Sequence, residues 1–154
     1  MQNRSPRRWL PGQAKKGRRL KRLSNLDFTY TLKSLNLKYV MVIAGSCYSR
    51  TLKRSPTVGL SNANNLHSAF RASARVTMVP GGLEPIADYG GDGNSPFAWP
   101  FMRALSDNPD VIDGTRLFAA IRRPVILEAK QTPEYSDVRN SGHDGGDFLF
   151  VRKP

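Results

Sequence analysis

The chain has one cysteine, Cys47, and only two histidines, His67 and His143, among 154 residues. A single cysteine excludes an internal disulfide framework. No apolar stretch is long enough for a bilayer span or for the core of a signal peptide, so no membrane partner is expected and a cytoplasmic, reducing compartment is the default. Acidic residues are missing altogether from the first 23 positions, where six Arg and three Lys give +9 of the total formal charge of +12. The remaining 131 residues hold fifteen basic and twelve acidic side chains. That is an ordinary mixed surface, so the basicity belongs to a tail rather than to a basic domain.

What is present divides accordingly. Residues 1–23 mix basic clusters with Pro6, Pro11, Gly12 and Gly17 and have little apolar periodicity, which predicts a disordered arm. Such an arm would bind polyanions weakly and in a salt-dependent way, or remain simply solvated. Residues 24–154 have the size of one domain with its own core.

Within that domain Ser24 and Asp27 form an S-x-x-D start signal for a helix reaching about Leu35, with Phe28, Leu32 and Leu35 near one face. Tyr39 to Ala44 is a short β-branched run, closed by Gly45 and Ser46, and reads as a buried strand. In open α/β sheets ligands gather beyond the carboxyl ends of such strands, which is where Cys47 stands. Buried cysteines are more often small hydrophobes than nucleophiles, yet the Gly and Ser around Cys47 allow backbone N–H groups to point at a thiolate or an oxyanion. Tyr48 to Leu60 reads as a basic loop, and Ser61 to Ala74 as a polar helix with His67 facing solvent. Arg75 to Val79 predicts a second parallel strand ending at Pro80, Gly81 and Gly82.

Further on, the DYGGDGN loop at residues 88–94 lacks the Gly-Lys-Ser/Thr ending of a phosphate loop. Its Asp88 and Asp92 are the right type for a cation, but acidic turns usually bind none, and neither metal nor cofactor is expected. Ser95 and Pro96 introduce a helix through Phe97, Phe101, Met102 and Leu105, which either starts at Pro100 or is kinked there. Asp113 caps a helix carrying Leu117, Phe118 and Ile121, with Pro124 as its stop. Val125 to Leu127 reads as a short strand, QTPEYSDVRNSGHDGG as a turn-rich segment, and Phe148 to Val151 as a final strand that fills the core.

The segment VMVIAGSCYSRTLKRS resembles the nucleophile segment of caspase-like cysteine peptidases, the prokaryotic branch akin to metacaspases, in which a hydrophobic strand precedes Asp-x-Cys-Tyr-Ser-Gly-Thr-Leu. MVPGGLEPIADYGGDGNSPFAWPFMRAL and DGTRLFAAIRRPVILEAKQTPEYSDVRNSGHDGGDFLFV resemble later parts of that domain in order, the closing stretch most specifically. The likeness covers about Leu23 to Val151. It implies an α/β fold with a parallel sheet and flanking helices, lacking its N-terminal strands and histidine segment. It also implies Cys47 as the catalytic nucleophile and a peptide or protein as substrate.

Three departures qualify the chemistry. No residue matches the family's histidine, which precedes the cysteine, whereas His143 follows Cys47 by 96 positions. Gly45 stands where the family has an acid, and Arg50 where it has a glycine. The resemblance therefore implies a truncated, impaired copy of a cysteine endopeptidase, one that the missing half of the domain would complete in trans. Its substrate-binding residues are not identified by the sequence. The alternatives are a non-catalytic interaction or scaffold protein, and a small basic nucleic-acid-binding protein acting through its tail.

Overall fold

The computed structural model describes residues 8–9, 23–44, 53–56, 70–81, 94–129 and 131–153. Cys47, His67, Asp88 and Asp92, nearly all of the predicted basic tail, and most of the predicted loop at 48–60 and helix at 61–74 lie outside the described residues.

The helix start forms as the residues dictate. Ser24 is the N-cap of α1 (Asn25–Ser34): its Oγ accepts from the Asp27 N–H at 3.1 Å, and the Asp27 carboxylate accepts from the Ser24 N–H at 3.4 Å. Two N–H groups that a helix end leaves unpaired are thereby satisfied reciprocally. Phe28 and Leu32 turn inward and pack against Val40, Val42 and Val138.

Strand β3 (Tyr39–Ile43) pairs in parallel with β5 (Ala74–Val79), setting Met41 beside Val76 and Ile43 beside Met78. β5 also pairs with β7 (Glu134–Val138), but antiparallel, and β7 pairs antiparallel with β4 (Lys53–Pro56). The order is β3-β5-β7-β4. The sheet is therefore mixed, and the expectation of a parallel sheet holds for one strand pair only. Ala74, expected to end a helix, instead opens β5 after a turn at Phe70–Ala72.

Alternation along the strands splits the core in two. Val76, Met78 and Tyr135 face the larger cluster, which contains Phe97, Leu117, Ile121 and Val125 and is joined by Met41. Val40, Val42 and Val138 face α1. The sheet thus lies between α1 on one side and α2 (Ala98–Ser106) with α3 (Gly114–Ala129) on the other. Two short ladders complete the described elements: β1 (Arg8–Trp9) with β2 (Leu23–Ser24), and β6 (Val111–Asp113) with β8 (Leu149–Val151). β8 is the expected final strand; it brings Phe148 and Phe150 against the core but pairs with β6 rather than joining the central sheet.

The prolines behave differently from expectation. Pro100 is the third residue of α2, in the first turn, where its missing N–H has no intrahelical acceptor to lose. Ser95 serves that turn, its Oγ accepting from the Ala98 N–H at 3.1 Å. Pro124 does not stop α3, and residues 125–127 are helix rather than strand. Leu117, Ile121 and Val125 recur at helical spacing with 0% exposure each. Burying that stripe offsets the roughly 3 kcal/mol that an interior proline costs. Replacing Pro124 by Ala is expected to stabilise the protein by about 2 kcal/mol, after allowing for the freer unfolded chain. Thermal unfolding followed by circular dichroism checks this, and a lower midpoint would refute it.

Candidate functional site

The parallel pair β3/β5 defines the end of the sheet at which a nucleophile would stand. The ladder runs one residue beyond β3, since the Ala44 N–H donates to the Met78 carbonyl at 3.3 Å. Cys47 follows three residues later in sequence.

His143 lies at the other end. It is half-buried, and its Nδ1 accepts from the Arg75 N–H at 3.1 Å. Arg75 is the second residue of β5 and pairs with Val40, four residues before Ala44 and so about 13 Å from it along the strand. The imidazole takes the place of the next backbone acceptor where β7 turns away. Its neighbours hold the same edge: the N–H groups of Asp144 and Gly146 both donate to the Ser73 carbonyl, at 2.9 and 3.3 Å. This loop approaches so closely that a Cβ on Gly146 would run into the Ala72 carbonyl oxygen. His143 therefore finishes the amino end of β5 and is not brought to the end from which Cys47 departs.

Two buried polar groups that sequence reasoning missed position this sheet. Arg75 is only 5% exposed, and its guanidinium donates to the carbonyls of Lys38 at 2.9 Å, Ala74 at 3.1 Å and Leu35 at 3.3 Å, and to that of Leu37. It clamps the connection from α1 to the strand that leads to Cys47. Tyr39, the first residue of that strand, adds a bond from its hydroxyl to the Phe70 carbonyl.

Asp147 is the second. Its carboxylate accepts from the Thr115 N–H at 3.1 Å, the Thr115 hydroxyl at 2.7 Å, the Phe148 N–H at 2.7 Å and the Tyr135 hydroxyl. It therefore joins the start of α3 to β7 and to the closing strand. Asp113 caps the same helix, accepting from the Arg116 N–H at 2.7 Å. Gly114 is required between them, because a Cβ there would meet the Tyr135 hydroxyl and lie 2.8 Å from Asp147 Oδ1. The signal for Asp147 was its place in the closing GGDF stretch.

Burial, and then the Asp147 carboxylate, push the Tyr135 phenol far above its usual range. It remains a donor in the folded protein while the unfolded chain ionises near pH 10. The folded pKa is the raised one, so this contribution is complete below about pH 10 and is lost as pH rises above it, by up to about 1.4 kcal/mol per pH unit. Denaturant unfolding between neutral and strongly alkaline pH is expected to show that slope, reduced by about one proton in Tyr135→Phe. Equal slopes would contradict the assignment.

A groove of about 470 Å³ runs between α2 and α3, lined among others by Trp99, Pro100, Arg103, Ile112 and Pro124. Arg103 stacks over the Trp99 ring at 5.2 Å. His143 is not among the described residues that line it. Among the described residues no group of three or more His, Cys, Asp or Glu side chains is arranged to hold a metal ion, and no helix is long and apolar enough to cross a membrane. No family model, no curated protein and no solved structure matches the chain.

Proposed function

We propose that the chain is the C-terminal part of a caspase-like cysteine endopeptidase domain in which Cys47 is the nucleophile, and that it is inactive by itself. The supporting observation is the parallel β3/β5 pair with the chain's only cysteine three residues past its end. In that chemistry a base takes the thiol proton, the thiolate attacks the scissile carbonyl, and backbone N–H groups stabilise the oxyanion. The leaving amine then takes a proton, and water hydrolyses the thioester to free the thiol.

Among the described residues no histidine stands at that strand end. His143 is bonded to the Arg75 N–H at the opposite strand end. A segment bearing the histidine would complete the site, and the substrate would be a peptide or protein. Gly45 in place of an acid removes a charge that would otherwise hold a basic substrate residue. The same placement of His143 favours, as the second reading, a non-catalytic interaction protein derived from such an enzyme.

The isolated chain is expected to cleave fluorogenic peptides no faster than Cys47→Ala. Turnover that vanishes in Cys47→Ala would show that a base within this chain had been overlooked.

A further inference from the structure

The bond that His143 makes to the amino end of β5 is one that only an unprotonated Nδ1 can make, since that nitrogen accepts from the Arg75 N–H at 3.1 Å. An imidazolium carries a hydrogen on both ring nitrogens and accepts nothing, so protonation sets two donors face to face. Two further bonds hold the same loop, from the N–H groups of Asp144 and Gly146 to the Ser73 carbonyl. All three attachments fall within residues 143–146. The chain is anchored separately on either side of them. Ser141, fully buried, donates from its Oγ to the Val138 carbonyl at 2.7 Å, and Asp147 is held by Thr115 and Tyr135. Between these anchors Gly142 and Gly145 lie at φ 85° and 75°, a region that glycine enters at little steric cost. Residues 142–146 are thus a short flap between two fixed points.

We propose that this flap is a pH-operated latch on the amino end of β5, closed while His143 is neutral and released when the ring takes a proton. Charge at this end of the sheet acts in the same direction. The charged side chains on the segments packed there are Lys38, Arg71, Arg75 and Arg139 against Asp137 and Asp144. Arg75 alone among them is buried, and its guanidinium is bonded to carbonyl oxygens rather than to a carboxylate. A further positive charge on His143 is therefore opposed. With the latch closed the chain binds one proton fewer than with it open. The latch is complete above about pH 6.5, where a free imidazole is neutral, and weakens as the pH falls below that value. Opening uncovers the Arg75 N–H and the Ser73 carbonyl at the start of β5. His143 takes no part in the peptidase chemistry proposed above, so the latch stands or falls independently of it.

The test compares the full chain with His143→Asn, whose side-chain oxygen can accept from the Arg75 N–H in place of Nδ1 but does not titrate. Hydrogen exchange is followed at the amides of Arg75, Asp144 and Gly146, with the intrinsic pH dependence of exchange divided out. In the unaltered chain their protection is expected to fall about tenfold between pH 7.5 and pH 5.5, the effect of one proton taken up on opening. In His143→Asn that fall should disappear, while the titrations of His67 and of the carboxylates are common to both proteins and cancel. If His143→Asn does not fold, nuclear magnetic resonance of the unaltered chain decides: the His143 ring and the Arg75 amide should change together through a single titration. An equal fall in the two proteins, or a His143 ring that takes its proton while the Arg75 amide stays protected, would overturn the proposal.

Discussion

Asp147→Ala should lower the stability of the folded chain by roughly 4 kcal/mol, enough to unfold much of a marginal domain. The carboxylate accepts four hydrogen bonds while only 3% exposed. Removing it strands the Tyr135 hydroxyl and the N–H groups of Thr115 and Phe148 in a buried site, and each orphaned donor costs about 1–3 kcal/mol. Asp147→Asn keeps the shape but offers one acceptor oxygen instead of two, so an intermediate loss is expected. Chemical denaturation of both variants checks this order. A loss below about 1 kcal/mol for Asp147→Ala would mean that the lock between α3, β7 and β8 is not what holds these elements together.

Leu117→Ala is expected to cost about 2–5 kcal/mol, the range for emptying a fully packed leucine site. Leu117 has 0% exposure and packs with Val76, Met78 and Tyr135 in the larger core, so its loss opens the seam between the helix layer and the sheet. Leu127 provides the control on the same helix. It is 70% exposed, and Leu127→Ala should change stability by less than about 0.5 kcal/mol. Equal losses at the two positions would contradict the assigned inward face of α3.

Local chemistry made much of this architecture legible. Ser24 and Asp27 announce α1, Asp113 caps α3, and the apolar run from Tyr39 and the segment from Arg75 became the parallel pair β3/β5. β7 was hidden. Its sequence EYSDV, flanked by Pro133, Arg139 and Asn140, looks like turn chemistry, yet it pairs on both sides, with β5 and β4. Tertiary burial rather than propensity decides such a strand: Ser136 stands opposite Thr77, and both are buried although their residue types favour the surface. Pro124 misled for a related reason, since a stripe of buried side chains carries the helix past it. At the site, the short run leading to Cys47 was readable from apolar residues ending in Gly and Ser. The roles of Arg75, Asp147 and His143 were not, because each depends on partners 12 to 68 positions away.

The most direct test of the proposal that Cys47 is a peptidase nucleophile is to join the chain to an upstream segment bearing the catalytic histidine of a caspase-like peptidase and measure peptide hydrolysis. The account predicts turnover in the joined protein that is lost in Cys47→Ala and absent from the chain alone. A joined protein that folds yet cleaves no faster than its Cys47→Ala variant would contradict it.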